Sequence, residues 1–381
     1  MWREDAMTTF YDELVRHDWH ATTRSIQAKN RDDVKRALSA ERCGLEDFKA
    51  LLSPAAAPFL EEMAALSMER TAQRFGKTVQ LYIPLYLSNY CSNACLYCGF
   101  NCSNKIARKV LSLEEIREEV AAIQKMGYSH ILLVSGEAPS VASTSYFTEV
   151  LTMIRHQFSQ LAIEVQPLEQ HNYEELIGAG LNFVCIYQET YNRKTYPDYH
   201  PKGPKADFRF RLETPDRLGR AGVHKIGLAC LLGLEDWRTD SFFTAMHLDY
   251  LEKKYWRTRY SISLPRLRPH DGSFSPAHVI DDHQMVQLIC AWRLFSNQLE
   301  ISLSTRESRK FRDNVLRLGV TAYSAGSSTK PGGYAHPDEE LQQFSVDDDR
   351  SPAEIAEMIR SQGYEPVWKD WDSCMQVALN N

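Results

Sequence analysis

Apolar positions along the chain follow two different spacings, and the change between them lies near residue 77. Before that point, apolar residues recur every three to four positions in the segments 26–38 and 45–75, where Ala, Leu and Glu are abundant. Such spacing places apolar side chains on one face of a helix, and those residue types have high helix propensity. Residues 1–77 are therefore predicted to form an N-terminal helical extension.

After residue 77, short apolar runs alternate with amphipathic stretches. The first amphipathic stretch has a capping box, Ser112 with Glu115, and a terminating Gly127, which predict a helix between them. Eight runs have the length of strands, at 81–87, 130–135, 163–168, 183–188, 225–232, 260–267, 300–305 and 321–324. Eight β/α units in series predict an α/β fold, a (β/α)8 TIM-type barrel over residues 78–331, with the site at the C-terminal ends of its strands. A six-stranded partial barrel stays open as an alternative.

The last segment, residues 332–381, is rich in Gly, Asp and Pro until a helical stretch near 353–362. Two tryptophans, Trp368 and Trp371, follow it. We expect this segment to pack on the barrel, with the tryptophans holding it there.

Composition narrows the possible partners. The net charge of −6 and the pI near 6.1 argue against binding to nucleic acid or to an anionic membrane. No apolar stretch is long enough to span a bilayer, and residues 1–7 lack the pattern of a signal peptide. Nine cysteines without a paired framework fit a reducing compartment, so the protein is expected to be cytoplasmic.

Three of those cysteines form a compact motif. Cys91, Cys95 and Cys98 follow the first predicted strand with Cys-x3-Cys-x2-Cys spacing. Three thiolates can bind only three irons of a [4Fe-4S] cluster, which leaves the fourth iron open for a ligand. The alternatives are three unrelated thiols or a zinc knuckle, but a zinc knuckle needs a fourth protein ligand at paired spacing. Cys102 is the only candidate nearby, and it is interpreted as a bystander.

Polar residues at other strand ends suggest what the open iron binds. Ser135, Gly136 and Glu137 end the second strand, where a glycine lets the backbone approach a ligand and a carboxylate can hold an ammonium group. Glu189 follows the fourth strand and can accept hydrogen bonds from ribose, whereas Arg211 can bind a carboxylate through two hydrogen bonds. An ammonium site, a ribose site and a carboxylate site together describe S-adenosylmethionine.

The cysteine motif, with Tyr97 before its last member, and the segment 135–137 resemble the radical S-adenosylmethionine superfamily. Further segments, at 165–168, 188–191, 211–219, 264–269, 303–307, 331–334 and 368–372, are similar to the tyrosine lyases of thiamine thiazole biosynthesis. The similarity extends over nearly the whole chain.

This resemblance implies that a reduced cluster cleaves S-adenosylmethionine to methionine and a 5′-deoxyadenosyl radical. The radical takes a hydrogen from the amino group of tyrosine, and the Cα–Cβ bond then breaks. The products are 2-iminoacetate (dehydroglycine), 4-methylphenol and 5′-deoxyadenosine. The implied partners are thiazole synthase, which receives a readily hydrolysed product, and flavodoxin or ferredoxin as the reductant.

The substrate carboxylate needs an anchor. By resemblance to aromatic amino-acid lyases, Arg306 in the seventh strand segment is the expected anchor, assisted by Ser324 on the eighth. The alternative is that Arg306 only pairs with Glu307 or with another carboxylate of the barrel. Arg266 and Arg268 share one face of a strand and are expected to form a structural ion-pair row, although either remains an alternative anchor.

Three other functions share parts of this pattern. The tyrosine lyase of hydrogenase maturation has a second cluster bound by three C-terminal cysteines, and here only Cys374 follows Cys290, which argues against that activity. A biotin-synthase-like enzyme of the same superfamily differs in its substrate residues. A non-enzymatic iron–sulfur or zinc scaffold would lack the cleavage reaction altogether.

Overall fold

A computed structural model describes residues 9–268, 274–336 and 343–370. Within these ranges, no helix combines the length and the apolar character that a membrane span requires. The described chain is built around one parallel sheet, with helices in sequence before it and between its strands.

The N-terminal residues are helical, as expected, but they divide into more pieces. These are α1 (Phe10–Leu14), α2 (Trp19–Gln27), α3 (Arg31–Ser39), α4 (Leu45–Leu52), a 3₁₀ helix (Pro54–Phe59) and α5 (Leu60–Phe75). The continuous helix predicted over 45–75 is wrong because Pro54 and Pro58 lack the N–H that a continuing helix needs. Asn30 divides the other predicted helix, since its side chain caps α3.

Eight parallel strands close into a barrel, as predicted. They are β1 (Thr78–Ser88), β2 (His130–Ser135), β3 (Gln160–Glu164), β4 (Phe183–Cys185), β5 (Lys225–Leu228), β6 (Arg259–Ser263), β7 (Glu300–Leu303) and β8 (Ala322–Ser324). Each pairs with its neighbour in sequence order, and β1 closes the ring by pairing with both β2 and β8. The six-stranded partial barrel is therefore excluded.

Helices connect the strands. They are α6 (Leu113–Lys125), α7 (Thr144–Ile154), α8 (Gln170–Gly178), α9 (Tyr196–Tyr199), a 3₁₀ helix (Pro204–Ala206), α10 (Phe208–Leu212), α11 (Thr214–Ala221), α12 (Trp237–Lys254), α13 (Asp282–Phe295) and α14 (Arg309–Val315). The capping box at Ser112 is confirmed, because its hydroxyl accepts the N–H of Glu115 and the carboxylate of Glu115 accepts the N–H of Ser112.

Several strands end earlier than their apolar runs predict. The run at 225–232 leaves the barrel after Leu228, and beyond it Leu232 forms only an isolated bridge with Arg266. The run at 183–188 is a strand only to Cys185. The residues after these strands are still apolar because they are buried at the barrel mouth, although they are no longer part of the sheet. Site residues therefore lie on loops just beyond the sheet.

The end of the described chain returns to the barrel. Helix α15 (Pro352–Ser361) precedes an unpredicted strand, β9 (Glu365–Val367), which pairs with the beginning of β1. The ring of Trp368 packs edge-on against Tyr128, 5.2 Å between centroids, which agrees with its expected packing role. Trp371 and Cys374 lie outside the described residues.

Candidate active site

A cavity of about 180 Å³ opens at the C-terminal ends of the barrel strands, and we refer to it as the upper cavity. Every residue predicted for the site lines it: Cys91, Cys95, Cys98, Tyr97, Ser135, Gly136, Glu137, Glu189, Arg211, Arg306 and Ser324. Cys102 does not line it. The topology thus brings together residues that are more than 230 positions apart in the sequence.

The cysteines lie on a loop that is fastened from within. The guanidinium of Arg108 donates to the backbone carbonyls of Asn89 (2.6 Å), Phe100 (2.9 Å) and Asn101 (2.6 Å). Sequence reasoning missed Arg108, since nothing in its neighbourhood distinguishes it from a surface arginine. Its hydrogen bonds tie the two ends of the cysteine loop together.

Gly136 has a structural role in addition to the predicted one. A Cβ at this position would lie 2.2 Å from the carbonyl oxygen of Tyr90, so the missing side chain makes room for the cysteine loop. The N–H of Gly136 donates to Ser88, and the carbonyl of Glu137 accepts from Ser92, at 2.8 and 2.9 Å. The end of β2 therefore holds the loop in place by close backbone contact.

The thiols have the surroundings that an iron–sulfur cluster requires. Burial raises the pKa of Cys91, Cys95 and Cys98, whereas a bound metal deprotonates a coordinating thiol outright. Backbone N–H groups of Asn93 and Phe100 donate toward Cys91 and Cys98, and hydrogen bonds to sulfur tune such clusters.

A single metal ion fits these thiols less well. Within the described ranges, no three His, Cys, Asp or Glu side chains converge closely enough to ligate one ion. A zinc knuckle needs such convergence, whereas each thiolate of a [4Fe-4S] cluster binds a different iron. The residues present therefore fit a cluster, and the family to which they point uses one.

Four charged side chains meet beside the cysteine loop, and we call them the charge quartet: Glu137, Glu189, Arg211 and Lys205. Arg211 donates to Glu137 at 2.8 Å, and Lys205 donates to Glu189 at 2.7 Å. The cross distances, Lys205 to Glu137 and Arg211 to Glu189, are both 3.9 Å. The two predicted carboxylates and the predicted arginine are thus mutually paired, and the quartet has no net charge.

Lys205 is the member that sequence reasoning missed. It lies in a 3₁₀ turn without a recognisable motif, and its side chain is 11% exposed. Burial alone would raise the pKa of Glu137, but Arg211 and Lys205 together hold that pKa below its usual value. Glu137 is therefore ionised and also accepts a 2.8 Å hydrogen bond from the amide of Asn93.

Glu189 has an unusual backbone. Its φ of +70° is the only positive φ at a non-glycine residue in the described ranges. Such a conformation costs of the order of 1–3 kcal/mol and persists where surrounding contacts enforce it. Here the carbonyl of Glu189 accepts the N–H of Leu231 at 2.8 Å. The carboxylate of this residue accepts the hydrogen bond from Lys205.

Tyr97 is held by a histidine. Its hydroxyl lies 2.7 Å from Nε2 of His200, whose Nδ1 lies 2.9 Å from the carbonyl of Tyr196. Burial lowers the pKa of His200 to about 3, so the ring is neutral. Because Nδ1 faces a carbonyl, it carries the proton, and Nε2 accepts the hydrogen bond from Tyr97.

Arg306 lies on the other side of the upper cavity. Its guanidinium stacks on the ring of Phe344, 3.4 Å from the centroid, and has no ion pair or side-chain hydrogen bond with any described residue. The alternative that it pairs with Glu307 is wrong, because Glu307 pairs with Arg266 and lies 3.4 Å from Arg268. The expected ion-pair row of Arg266 and Arg268 is confirmed.

Ser324 is less available than expected. Its hydroxyl accepts the N–H of Thr305 at 3.1 Å, which fixes the end of β7 beside Arg306. A third carboxylate, Glu164 at the end of β3, also lines the upper cavity and was missed. The signal was present, since a single Glu interrupts the apolar run Leu161–Val165 at a strand end.

Comparisons with known proteins agree with this geometry. The Radical SAM superfamily pattern matches residues 85–244, and the Biotin and Thiamin Synthesis associated domain pattern matches residues 263–365. The chain is 52% identical to the 2-iminoacetate synthase of Escherichia coli (strain K12), over 98% of this chain and 99% of that protein. It is 51% identical to the 2-iminoacetate synthase of Salmonella typhimurium, over the same shares.

Solved structures show the same architecture. The FeFe-hydrogenase maturase HydG from Carboxydothermus hydrogenoformans superimposes with a TM-score of 0.81 at 32% identity, covering 94% of this chain and 83% of the maturase. This chain has the barrel and the cysteine loop, and it is about half identical to these relatives over nearly its full length. It therefore belongs to the 2-iminoacetate synthase family of the radical S-adenosylmethionine superfamily.

Proposed function

We propose that the chain is a carbon–carbon lyase that splits L-tyrosine into 2-iminoacetate and 4-methylphenol, with methionine and 5′-deoxyadenosine as co-products. The observation that carries this proposal is the composition of the upper cavity. Three thiols, a paired charge quartet and a separate unpaired arginine face one lumen. The names of the close relatives support the same reaction.

The cysteines would hold the cluster. Cys91, Cys95 and Cys98 supply three thiolates, and Arg108 with Gly136 keeps their loop rigid. When bound, the [4Fe-4S] cluster and S-adenosylmethionine supply a radical that removes one hydrogen atom. A cofactor of this kind does the hard chemistry, while the protein positions and shields it.

The charge quartet would bind S-adenosylmethionine. It offers a carboxylate for the ammonium group, a carboxylate for the ribose hydroxyls and cations for the cofactor carboxylate. Because Glu137 and Arg211 are paired with each other, binding requires each to share its partner with the ligand. Tyr97 and the backbone at Ser135 and Gly136 form the adjoining wall.

Arg306 would bind the carboxylate of tyrosine. Its planar guanidinium can make two parallel hydrogen bonds, which fix orientation as well as position. Ser324 supports this by holding the backbone of Thr305. Orientation matters because a reactive intermediate must lie within contact distance of one hydrogen and away from water.

The cellular setting follows from the reaction. 2-Iminoacetate hydrolyses readily, so we propose direct transfer to thiazole synthase for thiamine biosynthesis. Flavodoxin or ferredoxin would supply electrons to the cluster, and the cytoplasm is the compartment that contains these partners. No described residue shows where any of them binds.

The test is product analysis. Anaerobically reconstituted protein is incubated with tyrosine, S-adenosylmethionine and dithionite, and the products are separated by chromatography. We expect 4-methylphenol, 5′-deoxyadenosine and glyoxylate from hydrolysed 2-iminoacetate. Cleavage of S-adenosylmethionine without 4-methylphenol would support a different radical enzyme, and an absence of cleavage would support the scaffold alternative.

A further inference from the structure

Glu164 is an acidic side chain in the upper cavity with no role in the proposed binding of the cluster, the cofactor or the substrate carboxylate. It is the last residue of β3, and its neighbour in the sheet is Val134, which in turn pairs with Tyr86. Within the described ranges its carboxylate has no hydrogen bond and no ion pair. Glu164 is half-buried at the wall of the lumen, where a carboxylate without a partner has a free-energy cost, so a ligand with a positive group is the expected compensation.

The charges around Glu164 come from two sides. Glu189, Lys205 and Arg211 of the charge quartet act on it, and so does Arg306. It therefore lies between the proposed cofactor site and the proposed carboxylate anchor. Of these, only Glu164 and Arg306 lack an ion pair within the described chain, and their charges are opposite.

We propose that Glu164 binds the ammonium group of tyrosine and accepts one of its protons before hydrogen removal. With Arg306 on the carboxylate, the two side chains form a site for an α-amino acid zwitterion. One N–H bond of the ammonium breaks, its electron pair stays on nitrogen as the lone pair, and an O–H bond forms on Glu164. The resulting neutral amine then presents its remaining N–H bonds to the cofactor side of the cavity, where one hydrogen is removed.

The carboxyl group is suited to this exchange. Burial, together with the charge of Glu189, raises the pKa of Glu164 to about 7, although the charge of Arg306 opposes the rise. Other titratable groups nearby are Tyr82 and Tyr86 on β1 and Cys185 and Tyr187 beside β4. Burial raises the pKa of each above its usual value, so they stay protonated where Glu164 titrates.

The inference rests on the proposed function, so its test begins with binding in the reconstituted holoenzyme. Three ligands are compared by calorimetry in wild type and Glu164→Gln: L-tyrosine, L-phenylalanine and 3-(4-hydroxyphenyl)propanoate, which lacks the amine. Loss of one charged hydrogen bond should weaken tyrosine and phenylalanine roughly ten- to a hundredfold. The amine-free acid and S-adenosylmethionine should bind as in wild type.

A pH profile then separates proton transfer from binding alone. At saturating tyrosine, 4-methylphenol formation in wild type should fall below about pH 7, because Glu164 must be ionised to accept a proton. The variant should lose this limb and recover activity at alkaline pH, where tyrosine supplies its own neutral amine. Glu164→Asp should keep the limb, and the exposed control Glu149→Gln should match wild type.

Several outcomes would overturn the inference. Equal loss for the amine-free acid, or loss for tyrosine but not for phenylalanine, would assign Glu164 to another part of the substrate. Weakened S-adenosylmethionine binding would assign Glu164 to the cofactor site. If the pH dependence of 4-methylphenol formation were the same in Glu164→Gln as in wild type, Glu164 would not be the proton acceptor. A wild-type enzyme that forms no 4-methylphenol would instead overturn the proposed function itself.

Discussion

The two sides of the upper cavity differ in how their charges are satisfied. In the charge quartet, each carboxylate has a cation within 2.8 Å. Glu164, which ends β3 between β2 and β4, and Arg306, which follows β7, have no ionic partner among the described residues. Paired charges maintain the fold as well as the site, since removing one partner strands the other. Unpaired charges do not stabilise the folded state and are available to a ligand, so the two sets of charges should respond differently to mutation.

The largest effect is expected from loss of a cluster cysteine, which tests whether a cluster binds beside the charge quartet. Cys95→Ala should abolish the [4Fe-4S] absorbance and all cleavage of S-adenosylmethionine, because the remaining thiolates hold only part of the cluster. Cys102→Ala is the matched control and should keep both. Ultraviolet-visible spectra after anaerobic reconstitution measure the outcome, and a brown, active Cys95→Ala protein would refute the assignment.

The next effect tests the paired side. Arg211→Ala leaves Glu137 and Glu189 with Lys205 alone, so it should lower the free energy of unfolding by about 3–5 kcal/mol. It should also weaken S-adenosylmethionine binding, which calorimetry measures. Chemical denaturation of Arg211→Ala and of the exposed control Arg209→Ala measures this loss in the free energy of unfolding. Equal stability of the two variants would show that the quartet does not support the fold.

The unpaired side should respond in the opposite way. Arg306→Ala removes the stacking contact with Phe344, a cation–π contact of about 0.5–1 kcal/mol, and a positive charge that acts on Glu164 without forming an ion pair, so denaturation should change little. Tyrosine binding should weaken roughly ten- to a hundredfold, and Arg306→Lys should rescue poorly because lysine lacks the planar fork. If Arg306→Ala were as unstable as Arg211→Ala, the proposed difference between paired and unpaired charges would be wrong.

The smallest effect concerns Tyr97. Tyr97→Phe removes the hydrogen bond to His200 but keeps the ring, at a cost of about 0.5–1.5 kcal/mol. S-adenosylmethionine affinity should fall only a few-fold, as measured by equilibrium dialysis. A loss as large as that of Arg211→Ala would mean that the hydroxyl itself contacts the cofactor.

The fold was largely predictable because barrel strands are read from local patterns. Apolar runs marked all eight strands, and β2 was predicted with both bounds correct. The C-terminal ends of β4 and β5 were predicted too far along the chain, since the loops after these strands stay buried without forming part of the sheet. The short β9 carries no pattern of its own, and its pairing with β1 depends on the tertiary fold.

The site was predictable where chemistry has a motif and not where it depends on packing. Cysteine spacing and strand-end polar residues identified residues that do line one cavity. Lys205, by contrast, reaches the quartet from a turn between helices, and Arg108 acts through backbone carbonyls. Neither position is distinguishable in sequence from a solvated surface charge.

The most direct test of the two-sided cavity is the ratio of 4-methylphenol to 5′-deoxyadenosine in wild type, Arg211→Ala and Arg306→Ala. Arg211→Ala should lower both products and keep the ratio, because losing the cofactor stops both reactions together. Arg306→Ala should still cleave S-adenosylmethionine slowly while its ratio falls by roughly tenfold or more, since one charged contact of this size positions the substrate. A wild-type ratio in Arg306→Ala would contradict the account and transfer the anchor to Arg268, the other arginine of this side that lines the upper cavity.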